Sequence, residues 1–165
     1  MKEIQLTQGK VAIVDDDDFK RLNKYKWYTV TVDKDANKYY AARSTWINKK
    51  VGCQKMSHVV LNIVDTSTIV DHKDGNGLNN QKSNLRVVTN VQNAQNASLR
   101  KDNKSGYKGV TLDKRYGRSD RWKSNIGVNK KLIYLGTFYT KEEAAQAYNI
   151  AAVKYFGEFA RLNKF

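Results

Sequence analysis

The chain has 165 residues, 40% apolar and 28% charged, with ten Tyr and three Trp, which excludes a disordered polymer and fits one domain or two small ones. No run approaches the roughly 18 apolar residues of a membrane span, the opening MKEIQLTQGK has no apolar core for a secretory signal, and the single cysteine, Cys53, excludes a disulfide framework or a multi-cysteine zinc site. Thirty Lys and Arg against sixteen Asp and Glu leave a net charge of +14, so the expectation is a soluble intracellular protein, with no membrane association, whose partner is a polyanion, nucleic acid first.

With no proline anywhere, glycine and asparagine do the punctuation. Residues 4–6 and 10–14 read as short strands around Gln8 and Gly9. The run Asp15, Asp16, Asp17 and Asp18 precedes a short helix over 19–22 and reads as a solvated cap at its positive end; consecutive carboxylates cannot all converge on one ion. Strands over 27–32 and 39–43 flank a turn at 33–38. Cys53 reads as a small buried apolar residue. Residues 56–64 read as a helix, whose His58 is expected to pack rather than react.

The stretch 68–97 has a different texture. A strand over 69–70 ends in Asp71 and His72, a loop dense in Asn and Gly follows, residues 85–88 form a second strand, and Thr89 caps a helix over 90–97. Such a loop packs little apolar surface and is expected to build a site rather than a core. Within it Asp74 is expected to shape the turn. The connector is polar and basic. Beyond it lie three strands, over 108–112, 121–128 and 132–138. Thr140 and Glu143 then form a capping box that opens a helix running to about residue 156, with Ala144, Ala145, Ala147, Tyr148, Ala151, Ala152 and Tyr155 at helical spacing. Tyr148, Tyr155 and Phe138 are expected in the core, Trp122 is left open between core and contact, and residues 162–165 are expected to dock back on the sheet and helix. Residues 1–97 hold 15 basic and 10 acidic side chains, net +5, and residues 98–165 hold 15 and 6, net +9, so the shorter part carries most of the charge.

Asp71, His72 and Asn93 make a chemically coherent set. A carboxylate and an amide oxygen are hard ligands suited to Mg²⁺ or Mn²⁺, which keep waters and take phosphate oxygens. An imidazole on the other side of the strand can deprotonate an attacking water, and Asn84 can bond the loop backbone and fix His72. Asn90 and Asn96 compete with Asn93, since all three lie on one expected helix.

The segment Val70-Asp71-His72-Lys73-Asp74-Gly75-Asn76, with Asn84-Leu85 and Asn93 after it, resembles the HNH motif of phage and intron homing endonucleases, in the ββα-metal form that ends in Asn. Carried over residue by residue, the resemblance makes Asp71 and Asn93 the metal ligands, His72 the general base and Asn84 the loop-orienting residue. The segments around KVAIVDDDDF and KYKWY resemble the usual start of free-standing phage members.

The C-terminal segments Ser105-Gly106-Tyr107-Lys108-Gly109-Val110, Trp122-Lys123-Ser124-Asn125-Ile126, Tyr134-Leu135-Gly136-Thr137-Phe138, Glu142-Glu143-Ala144-Ala145-Gln146-Ala147-Tyr148 and Leu162-Asn163 resemble the plant ethylene-response-factor (AP-two type) DNA-binding domain. In that family a three-stranded antiparallel sheet, backed by one helix, lies in the major groove. The resemblance puts Lys108 and Tyr134 on the contact face, while Thr111 and Asp113 stand where the plant pattern has Arg, so the plant target sequence does not carry over. Independently, the crowding of Lys108, Lys114, Arg115, Arg118, Arg121, Lys123, Lys130 and Lys131 on the strands and turns suits phosphate contacts.

The expectation is therefore an α+β protein in three parts. Residues 1–97 would form a β-rich HNH nuclease leading into a ββα-metal motif, 98–104 a linker, and 105–165 a three-stranded antiparallel sheet packed on one helix. The expected activity is Mg²⁺- or Mn²⁺-dependent hydrolysis of double-stranded DNA by a strand-nicking, homing-type enzyme, monomeric or weakly dimeric, in the cytoplasm of a bacterial or phage-infected cell. The rival readings are a non-catalytic DNA-binding regulator with a degenerate nuclease fold, and a protein that binds or cuts RNA.

Overall fold

A computed structural model describes residues 1–33, 38–47, 50–114 and 121–165. The expected turn at 33–38 lies mostly outside the described residues, as do Arg115 and Arg118. The chain is mixed α and β and divides into two compact units, Met1–Asn93 and Ala94–Phe165.

In the first unit β1 (Lys2–Gln5) and β2 (Val11–Val14) form an antiparallel hairpin, and α1 (Asp16–Leu22) follows. Strands β3 (Tyr28–Asp33), β4 (Lys38–Ile47) and β5 (Lys50–Lys55) make a three-stranded antiparallel sheet, and α2 (Met56–Val60) is a single short helix. Then β6 (Ile69–His72) pairs antiparallel with β7 (Leu85–Val88), and α3 (Asn90–Gln95) starts at the end of this unit and runs past its boundary after Asn93. Ile4, Ala12, Val14, Leu22, Trp27, Ala41, Met56, Val60 and Leu85 bury a common core, so one apolar cluster ties every sheet of this unit together. The Trp27 indole donates to the Leu22 carbonyl at 2.8 Å, satisfying its one polar atom inside that core.

Two expectations in this unit are corrected. Cys53 is exposed rather than buried, because it pairs across the strands with Ser44 on the outward side of β4–β5. The aspartate run is not a solvated cap throughout. The Asp15 carboxylate accepts from Gln81 Nε2 at 3.1 Å and from the Lys82 backbone N–H at 2.8 Å. Buried Asp18 pairs with Arg21 at 2.6 Å and Lys82 at 3.0 Å. These two carboxylates anchor the polypeptide just before β7. His58 is buried, with Nε2 2.9 Å from the Thr68 carbonyl, as its expected packing role requires.

In the second unit β8 (Val110–Asp113), β9 (Arg121–Val128) and β10 (Lys131–Phe138) form an antiparallel sheet in the order β10-β9-β8, and α4 (Lys141–Phe156) packs on it. The expected capping box is present, with Thr140 Oγ1 accepting from the Glu143 N–H at 3.2 Å and the Glu143 carboxylate accepting from the Thr140 N–H at 3.2 Å. Ala144, Ala145, Tyr148, Ala151 and Ala152 are buried against Val110 and Ile126. Trp122 and Phe138 pack on the same core, which settles Trp122 as a core-side residue. Tyr155 is exposed instead of buried. Gly109 has φ +76°, and a Cβ there would overlap the Tyr148 ring and the Asn125 carbonyl, so the sheet meets the helix only with glycine at that point. The C-terminus docks through Asn163, which bonds the backbone of Lys108 at 2.7 and 3.1 Å and the Asn149 side chain at 2.8 and 3.0 Å.

Candidate functional site

Asp71 and His72 are the last two residues of β6, opposite Arg86 and Leu85 of β7. Adjacent strand residues point to opposite faces, so the carboxylate and the imidazole serve two sides of one strand end. Both are buried, at 8% and 4% exposure, and buried polar groups need partners. The Asp71 Oδ2 atom accepts from Arg86 Nε at 2.9 Å and from Arg86 Nη2 at 2.8 Å. Arg86 is a site residue that the pattern of β7 did not single out; only the register of the two strands places it there.

His72 is held from two directions. Its Nε2 lies 3.4 Å from Asn80 Oδ1, and the Asn80 amide nitrogen donates to the Leu78 carbonyl at 3.2 Å, which turns the oxygen toward the ring. The Tyr40 ring packs on the other side at 5.6 Å between centroids. Burial lowers the His72 pKa below its ordinary 6.5, outweighing the upward pull of Asn80, Asp74 and Asp71. The imidazole is therefore neutral at pH 7, the state in which it can take a proton. Burial, and after it the Asp71 charge, pushes the Tyr40 hydroxyl above its usual value.

Asn84, itself buried, laces the loop between the two strands. Its Nδ2 donates to Asp74 Oδ1 at 3.0 Å and to the Asn79 carbonyl at 2.8 Å, and its Oδ1 accepts from the Asp74 N–H at 3.1 Å. Asp74 shapes the turn as expected, accepting from the Asn76 N–H at 2.8 Å and from Asn79 Nδ2 at 2.9 Å. Burial raises its pKa, but the bonds from Asn76, Asn79 and Asn84 outweigh that and hold it below the ordinary carboxylate value. The Asn84 side chain bonds the loop and not the imidazole; the residue beside the ring is Asn80. A second set of bonds joins the loop to the hairpin, from the Ile13 N–H to the Leu78 carbonyl at 2.8 Å and from the Asn80 N–H to the Ile13 carbonyl at 2.7 Å.

Thr89 opens α3, its Oγ1 accepting from the Gln92 N–H at 3.3 Å while the Gln92 side chain accepts from the Thr89 N–H at 2.9 Å. Asn90 and Asn93 are exposed on that helix and Asn96, just past it, is buried. Among the described residues no group of three or more His, Cys, Asp and Glu converges to hold a metal. The two expected ligands are the buried Asp71 carboxylate, which Arg86 engages, and the exposed Asn93 amide on α3. A carboxylate and an amide oxygen are hard donors of the kind that Mg²⁺ or Mn²⁺ takes beside waters and phosphate oxygens.

In the second unit one face of the sheet covers α4 and the other is polar. Thr111, Lys123 and Thr137 align across the three strands on that outer face, with Asn125 beside Tyr134. Tyr134 is 54% exposed, its hydroxyl lies 2.7 Å from Thr137 Oγ1, and Lys123 Nζ stands 5.6 Å from its ring centroid. The Arg121 guanidinium stacks 3.3 Å from the Tyr139 ring centroid. Lys130 and Lys131 are exposed at the β9–β10 hairpin, whose turn residues Asn129 and Lys130 both have positive φ (49° and 62°), the geometry of a type I′ turn. Lys108 is half-buried and donates through Nζ to the carbonyls of Gln95 at 2.7 Å and Ala97 at 2.8 Å; burial pushes its ammonium down to about 8.

A family model described as HNH endonuclease matches residues 64–95. An uncharacterized HNH endonuclease of Acanthamoeba polyphaga mimivirus is 31% identical over 161 residues, which is 95% of this chain and 76% of that relative. An AP2-like ethylene-responsive transcription factor of Arabidopsis thaliana is 51% identical over 55 residues, 32% of this chain and 9% of the plant protein. Another from Oryza sativa subsp. japonica is 49% identical over 55 residues, 32% of this chain and 8% of that protein. The chain thus spans only a small part of the plant relatives. No solved structure matches it.

Proposed function

The chain belongs to the HNH endonucleases, and from that premise we propose that it hydrolyses phosphodiester bonds of duplex DNA one strand at a time, through a ββα-metal site built on β6, β7 and α3. The observation that carries the reading is the pairing of a buried, neutral imidazole, His72, with a buried carboxylate, Asp71, at one strand end. His72 takes the proton of the attacking water as the new bond to phosphorus forms and the bond to the 3′ oxygen breaks, and that oxygen takes a proton from solvent, giving 5′-phosphate and 3′-hydroxyl ends. Asp71 and Asn93 are the residues that would hold the divalent cation, Mg²⁺ or Mn²⁺, which supplies charge neutralisation at the departing oxygen. Asn84 keeps the loop closed, and Asn80 and Tyr40 keep the imidazole in place.

The second unit, in this reading, positions the enzyme on DNA through the outer face of its sheet. Lys123, Arg121 and Tyr134 lie on that face or stack beside it, and Lys130 and Lys131 extend it at the hairpin. That mixture of cations and an exposed ring suits phosphate and base contacts. Lys108 stays with the carbonyls of Gln95 and Ala97, inside the unit. One such site per chain favours nicking, with homing as the biological setting. The test is incubation of the purified protein with supercoiled plasmid. Open-circle product that appears with Mg²⁺ or Mn²⁺ and not with EDTA supports the reading, and plasmid left intact with every metal contradicts it.

A further inference from the structure

The buried pair between Arg86 and Asp71 has a consequence for how the site is loaded. Both Nε and Nη2 of the guanidinium lie on one carboxylate oxygen, and the two side chains are only 10% and 9% exposed. The residue that would attract a divalent cation is thus already paired with the Arg86 guanidinium. An arriving Mg²⁺ or Mn²⁺ meets a positive charge a few ångströms away, where solvent screens poorly. The second donor, an amide, offers a dipole and no charge to offset it.

We infer that Arg86 restrains metal binding at Asp71 in the DNA-free protein, so that the cation is held tightly only when a phosphate enters the site. A phosphate is a good bidentate partner for a guanidinium, and its oxygens add the negative charge that Asp71 no longer supplies. Metal and DNA then bind with positive coupling, and by thermodynamic linkage each raises the affinity of the other by the same factor. A nuclease built this way carries little metal when off its substrate. The inference rests on Asp71 being the metal ligand.

The test is Mn²⁺ titration of the DNA-free protein by calorimetry. Arg86→Gln removes the charge and should bind Mn²⁺ about tenfold tighter than wild type, while Arg86→Lys keeps the charge and should stay within roughly threefold of it. A glutamine variant no tighter than wild type overturns the inference, as does a lysine variant that tightens as much as glutamine. Without Arg86 the buried carboxylate is uncompensated and the variant is destabilised. If it is unfolded alone, it must recover its near-ultraviolet dichroism when Mn²⁺ is added; failure to do so counts against the inference. The double variant Asp71→Asn, Arg86→Gln separates the two claims. Loss of Mn²⁺ binding in it keeps Asp71 as the ligand whatever Arg86 does, and unchanged tight binding removes both the ligand assignment and the inference.

Discussion

The rings of Tyr40 and His72 stand 5.6 Å apart between centroids with their planes at 49°, so a tyrosine from β4 closes one side of the imidazole at the end of β6. Since burial is the largest influence lowering the His72 pKa, Tyr40→Ala should let it rise toward 6.5. The acid limb of the cleavage rate then moves to higher pH, and Tyr40→Phe leaves it in place. Rate against pH at fixed Mn²⁺ checks this, and an unmoved limb in the alanine variant contradicts it. The same burial makes an unfolded chain the better proton acceptor, so folding stability falls as pH drops through 6.5 toward the lower folded-state value.

Asn84 makes three hydrogen bonds inside the loop. Asn84→Ala leaves their partners unsatisfied and should cost about 2–3 kcal/mol in a urea melt, with a large loss of cleavage. Asn84→Asp should not rescue it, because the new carboxylate would stand against that of Asp74. An unchanged melting midpoint in both variants would show that the loop is held by other bonds.

Gly109→Ala tests the joint between sheet and helix. Its Cβ would overlap the Tyr148 ring at a backbone angle that alanine dislikes, so the second unit should lose at least about 2 kcal/mol of stability. DNA binding should weaken with it. A melt within about 0.5 kcal/mol of wild type would mean that the helix can shift at no cost.

Lys123 and Lys108 should behave differently on DNA. Lys123 occupies the outer face, so Lys123→Ala should weaken duplex binding and reduce the slope of log affinity against log salt by about one. Lys108 holds the Gln95 and Ala97 carbonyls, so Lys108→Ala should change stability and leave the slope alone. Fluorescence anisotropy at several salt concentrations measures both. Equal slopes for wild type and Lys123→Ala would remove the sheet face from the DNA interface.

Periodicity and turn chemistry made much of the fold legible. The strands Leu85–Val88 and Arg121–Val128 and the capping box at Thr140 stand where the residues place them, because each is fixed by local propensity. Strand β5 was not legible: KVGCQK has a glycine and few β-branched residues, and it is a strand because β4 extends to Ile47 and offers it an edge. The site was legible in its chain-adjacent members, Asp71 and His72. Arg86 and Asn80 were not, since one depends on strand register and the other is one asparagine among several in a loop whose closure only tertiary packing decides. The aspartate run misled for the same reason: nothing local says that Asp15 reaches Gln81 and Lys82.

The most direct measurement compares wild type and His72→Ala on supercoiled plasmid while duplex affinity is measured on the same samples. The variant should cleave about 10²- to 10⁴-fold more slowly, the range a general base contributes, with DNA affinity nearly unchanged. Cleavage that persists at the wild-type rate, or a loss of DNA binding as large as the loss of cleavage, would contradict the assignment of His72 as the base.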